Sequence, residues 1–186
     1  MASESEIRAL RLRAQAILRS QVCQKIRFKL ANVQIQTFMY GYIGSAIADD
    51  RVHLRVGNGH NYNPASNTIT FDSEEPDAVT IVHEAIHAVI DATHVGKTIT
   101  TGVHETSAYL AETMYTLLTG KDPFLDVPHL THPVAQLARS VIAFNKKSNG
   151  VYQCSLSETR GIIAILEHSN LRMDTAHTER MDGIGD

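Results

Sequence analysis

Apolar residues recur three and four apart along several stretches of this chain and two apart along others, and the two periods divide it into helices and strands. The first helical stretch opens at Ser3 or Ser5, either of which can cap it, with Glu6 in the opening turn. Ile7, Leu10, Ala14, Ile17 and Leu18 form its apolar stripe, and Arg8, Arg11, Arg13 and Arg19 occupy a solvated remainder. Over residues 26–35 the period falls to two. Ile26, Phe28 and Leu30 alternate with Arg27 and Lys29, then Val33 and Ile35 resume after a slip, which predicts a strand with a turn or bulge at Ala31-Asn32. Gly41 and Gly44 dilute the helical signal of residues 38–48. Val52, Leu54 and Val56 alternate with His53 and Arg55 as a second strand, closed by Gly57-Asn58-Gly59. The polar segment HNYNPASN is expected to be a loop, and Thr68–Phe71 a further strand.

A long helix follows. Asp72 or Ser73 can cap it, Pro76 suits its first turn, and Glu74, Glu75 and Asp77 complement its positive end. Val79, Val82, Ile86, Val89 and Ile90 supply the buried stripe, which fades near His94-Val95-Gly96. GKTITTG is expected as a loop. The next helix runs from near Val103 to the stop signal of Gly120 and Pro123, with Ala108, Ala111, Met114, Tyr115 and Leu118 inward. A loop over residues 122–133, a helix over 134–144 and a turn over 146–150 come next. Ser155 or Ser157 caps a last helix containing Ile162, Ile163, Ile165 and Leu166, and Glu158 completes a capping box if Ser155 is the cap. Residues 169–186 read as a mobile polar tail. The expected architecture is one α+β domain over residues 1–168, predominantly helical, with a small sheet from residues 26–35, 52–56 and 68–71.

Composition narrows the class. The chain has 186 residues, 43% of them hydrophobic and 20% charged, as in a globular domain able to bury a core. A net charge of −3 argues against nucleic acid or an anionic membrane as partner. Cys23 and Cys154 show no metal-ligand spacing and are expected as reduced thiols. No apolar run reaches a membrane-spanning length, and charges thread the first twenty residues where a signal peptide would be apolar. Synthesis in the cytoplasm is the expectation, with export by a signal-independent route left open.

The chemistry concentrates in the long helix, which carries His83, Glu84 and His87 as His-Glu-x-x-His. Residues four apart lie one above the other on a helix, so the two imidazoles can bind one Zn²⁺ and Glu84 can act as general base on a water beside it. Catalytic zinc takes a third protein ligand. His94 fails as that ligand, because the pattern needing a distal histidine also needs glycine and histidine where Ile90 and Thr93 stand. Glu105 and Glu112, seven apart on the following helix, are better candidates. Asp91, one turn past His87, either orients a ligand histidine or faces solvent.

His83-Glu84-Ala85-Ile86-His87, followed after a short loop by a helix carrying Glu105, Ala108, Tyr109 and Ala111, resembles the gluzincin type of zinc metallopeptidase, and in particular small, mostly uncharacterised bacterial HExxH-domain proteins. The resemblance spans roughly residues 68–120. It implies a zincin fold, a Zn²⁺ cofactor held by His83, His87 and Glu105, Glu84 as general base, and a protein or peptide substrate. The gap of 17 residues between His87 and Glu105 is near the spacing of that type. A simple antiparallel hairpin instead sets Glu112 more nearly level with the histidines, so Glu105 is taken as third ligand and Glu112 stays open as the alternative. Tyr109, His104, His129 and His132 are candidate donors to a developing oxyanion. Thr68–Phe71 is the candidate edge strand for aligning a peptide. A second reading is a catalytically inactive metal-binding or regulatory domain that keeps the fold. A di-iron protein would need a second Glu-x-x-His, which the chain lacks.

Overall fold

The computed structural model of the chain describes residues 2–121, 132–168 and 178–184. Six α-helices lie among them: α1 (Glu4–Leu18), α2 (Thr37–Ala48), α3 (Ala78–Thr93), α4 (Thr101–Leu118), α5 (His132–Lys147) and α6 (Leu156–His168). The strands are β1 (Phe28–Leu30), β2 (Val33–Ile35), β3 (His53–Val56), β4 (Asn61–Asn63), β5 (Thr68–Phe71), β6 (Thr98–Thr100), β7 (Tyr152–Gln153) and β8 (Thr178–Arg180). The class is α+β and predominantly helical, as the periodicities indicate. Among the described residues no helix is long and apolar enough to cross a membrane.

Local chemistry explains the elements. Ser3 caps α1 through a reciprocal box: its hydroxyl accepts from the Glu6 N–H at 3.3 Å, and the Glu6 carboxylate accepts from the Ser3 N–H at 2.6 Å. Leu10, Ala14 and Leu18 then fall on one face and are buried. The slip at Ala31-Asn32 is a tight hairpin pairing Leu30 with Val33, and Ala31 takes the left-handed backbone (φ 50°) that such a turn demands. Phe28, Leu30, Val33 and Ile35 point into the core. Residues 37–48 do form a helix despite two glycines, because Tyr40, Ile43, Ala46 and Ile47 bury one face. Ser155 and Glu158 make the expected box at the start of α6. Both cysteines are free and buried.

Several expectations are corrected by tertiary pairing. The anticipated single sheet is divided, with β2-β1-β7 forming one sheet and β3-β5-β4 another. HNYNPASN contains β4, paired antiparallel to β5, and GKTITTG contains β6. Polar strands of three residues have no apolar alternation to announce them; a neighbouring strand supplies their hydrogen bonds. Thr68–Phe71 is the central strand of its sheet, and β3 and β4 are the edges. α3 starts later than expected. Asp77 caps it by accepting the Thr80 N–H at 2.7 Å, which leaves Pro76 just outside. α5 begins at His132.

Residues 178–184 of the anticipated tail belong to the fold. β8 pairs antiparallel with β6, Met181 and Ile184 are buried, and the Met181 backbone bonds to Gly96 and Lys97. Gly183 is required where it sits: its φ is 87°, and a Cβ there would lie 2.8 Å from Val95. These residues settle against the end of α3, the helix that organises the core through Ile81, Val82, Ala85, Ile86, Val89 and Ile90.

Candidate metal centre

α3 and α4 form the two walls that carry the polar residues. His83 contacts Glu112, and one turn further along α3 His87 contacts His104 and Glu105, so the helices run antiparallel. That pairing brings Glu105 near both histidines. His87 lies six residues from the end of α3 at Thr93, and Glu105 four residues into α4. At about 1.5 Å per residue the offset is only about 3 Å, within reach of a glutamate side chain. Glu112 is level with His83 but on its other side.

The geometry around Glu105 is that of ligands about a shared point. Its carboxylate oxygens stand 3.6 Å from His83 Nε2 and 3.7 Å from His87 Nε2, both too long for hydrogen bonds. One ligand atom from each of the three residues lies within 4.8 Å of the others. Tetrahedral zinc with bonds of about 2.0–2.1 Å separates its ligand atoms by about 3.3 Å, so the three donors fit such an ion with small inward adjustments. Glu112 Oε2 sits 2.8 Å from His83 Nδ1, where it holds the ring from behind.

Charge points the same way. Glu84, Glu105, Glu112 and Asp91 all line a cleft of about 480 Å³ whose described wall has no lysine or arginine. Burial would depress His83, yet the Glu105 and Glu112 carboxylates outweigh it and raise the ring to about 10. His87 goes the other way, kept well below the ordinary range by burial and by His83, so it is a neutral imidazole. Glu84 is only 4% exposed and its Oε2 has no partner among the described residues. Burial pushes its carboxyl up to about 7; the charge of His83 opposes, and Glu105 and Glu112 add to the rise.

Other expected residues are distributed differently. Tyr109 lines the cleft with its ring edge-on to His83, centroids 4.9 Å apart. His104 is buried against His87, with its outward nitrogen enclosed and without a partner among the described residues. His94 is buried at the α3 terminus, where its Nδ1 meets the Thr93 hydroxyl and the Ile90 carbonyl. His129 lies outside the described residues, and for His132 only the backbone is described. Asp91 neither orients a histidine nor faces solvent. It is buried, accepts the Tyr62 hydroxyl at 2.8 Å, and accepts the backbone N–H groups of Asp182 and Gly183 at 3.0 and 3.1 Å.

Sequence reasoning missed His60, Asn61, Tyr62 and Met181, which complete the wall of the cleft. None carries a spacing signal: His60, Asn61 and Tyr62 lie in a polar stretch without apolar alternation, and Met181 is bonded to Gly96 and Lys97, far back in the chain. Comparison of the chain with models of protein families, with curated proteins and with solved structures finds no match.

Proposed function

We propose that this chain is a zinc-dependent metallopeptidase of the zincin type, with His83, His87 and Glu105 holding Zn²⁺ and Glu84 serving as general base. The observation that carries the reading is the convergence of two Nε2 atoms and the Glu105 carboxylate on one point of a cleft, beside a buried carboxylate with a free oxygen. Two imidazoles and one carboxylate are a donor set used by catalytic zinc, which leaves a coordination position open. When bound, the ion supplies Lewis acidity, lowering the pKa of a coordinated water toward about 7 and polarising a carbonyl.

The protein residues divide the remaining work. Glu84 accepts the proton of the attacking water and releases it to the leaving amine, a task suited to a carboxyl held up at about 7. Glu112 fixes the His83 ring. Tyr109, which lines the cleft beside His83, is the proposed hydrogen-bond donor to the oxyanion. β4 has a partner on one side only among the described residues, and Asn61 and Tyr62 line the cleft, so it is the edge along which an extended peptide would add main-chain hydrogen bonds.

Metal analysis of protein purified without chelators, joined to a peptide-library digest read by mass spectrometry, tests the reading. The expected result is one zinc per chain, lost in His83→Ala and His87→Ala, and cleavage that stops on chelation. Glu84→Gln should keep its zinc and lose about 10²–10⁴-fold in turnover. Protein free of metal, or turnover that survives Glu84→Gln, would overturn it. Zinc without cleavage would instead select the inactive metal-binding domain.

A further inference from the structure

The two histidines of α3 are backed by unlike partners. His83 Nδ1 meets a carboxylate, Glu112, at 2.8 Å; His87 Nδ1 meets another imidazole, His104 Nδ1, at 2.9 Å. The His87 and His104 rings lie 4.6 Å apart, only 6% and 7% exposed, and His104 Nε2 has no partner among the described residues. A hydrogen bond between two Nδ1 atoms needs one N–H and one lone pair, which leaves two arrangements. In one, His104 donates, and His87 carries its proton on Nε2, facing Glu105. In the other, His87 donates from Nδ1, and its Nε2 lone pair faces the point it shares with His83 and Glu105.

We propose that His104 is a positioning residue that accepts the His87 Nδ1 proton, holding His87 in the tautomer whose Nε2 can take a metal, and that binding therefore sets the tautomers of both rings together. The inference rests on the metal site proposed above. Its direction follows from chemistry: a metal at Nε2 excludes a proton there, so the proton stands on Nδ1, and His104 Nδ1 must be the lone pair. The His104 proton is then on Nε2, enclosed in the protein. Most ligand histidines donate to a carboxylate, a carbonyl or water. His87 has a neutral ring instead, so its lone pair is enriched less than that of His83, and the two ligands of the pair are unequal. Removing the acceptor would leave the buried His87 N–H with no partner in its metal-binding tautomer.

Two measurements on the full chain decide the matter. A long-range ¹H–¹⁵N spectrum of the zinc-loaded protein should show His87 protonated at Nδ1 and His104 at Nε2. Zinc affinity by competition with a chromogenic chelator should fall about 10–100-fold in His104→Phe, which keeps the bulk without the acceptor. His104→Asn, whose amide oxygen can sit near the imidazole Nδ1 position, should stay within about threefold of wild type. A proton on His104 Nδ1 in the zinc-loaded protein, or wild-type affinity in His104→Phe, would overturn the inference while leaving the metal site standing. A wild-type chain that takes up no zinc would overturn both. Should His104→Phe fail to fold by circular dichroism, the tautomer spectrum of the wild type and the affinity of His104→Asn still decide it.

Discussion

Two carboxylate clusters lie along α3, and they are built on opposite principles. At Asp91 the negative group is complete: one hydroxyl and two backbone N–H groups reach it from β4 and from residues 182 and 183. Burial still raises its pKa, against the lowering effect of those bonds. Around His83 and His87, Glu84 keeps a buried oxygen without a partner among the described residues, and Glu105 stands at non-bonding distance from two nitrogens. The first cluster spends its acceptors on holding the fold together. In the second, Glu112 is bonded to His83, and Glu84 Oε2 is left unpaired among the described residues. Since nearly every buried polar atom in a folded protein finds a partner, the unpaired Glu84 oxygen supports the proposed metal site, whereas the bonds to Asp91 hold the fold together.

The contrast can be broken from either side. Glu105→Gln should produce the largest change, lowering zinc affinity by more than about a hundredfold because a ligand is lost. Glu112→Gln, which weakens only the brace behind His83, should cost about 10–100-fold in the same chelator competition. Equal effects, or the reverse order, would move Glu112 into the coordination sphere. Asp91→Ala should leave zinc affinity unchanged but lower stability by about 2 kcal/mol or more in a urea titration, since two backbone N–H groups and a tyrosine lose their acceptor. Zinc loss in that variant would erase the distinction between the clusters. Tyr62→Phe removes one of the three bonds and should cost about 1 kcal/mol in the same titration.

Much of this was legible in the sequence, for identifiable reasons. Helix caps such as Ser3 with Glu6 and Ser155 with Glu158 act within four residues, so their spacing alone reveals them. The same holds for His83 and His87, whose shared face follows from helical geometry. The rest depends on distances that spacing does not encode. Whether Glu105 or Glu112 reaches the histidines turns on where α3 stops and how tightly β6 shortens the link to α4. Asp91 looked free to serve a histidine because its true partners, Tyr62 and residues 182–183, lie 29 and more than 90 residues away. β4 was hidden for a different reason: its partner β5 is close in sequence, but Asn61 and Asn63 read as turn residues and carry no apolar alternation.

The pairing of β8 with β6 also carries a consequence in time. α3 and α4 are neighbours in sequence, and such a local hairpin can assemble as soon as both helices have left the ribosome. Met181, which walls the cleft, and the two backbone donors to Asp91 lie about 90 residues beyond Asp91 in the chain. The two histidines can therefore meet their glutamates before the cleft around them is closed. A nascent chain halted after α4 would hold the proposed metal-binding residues with one wall still missing, and the order of synthesis itself would postpone the finished cleft until residues 178–184 emerge.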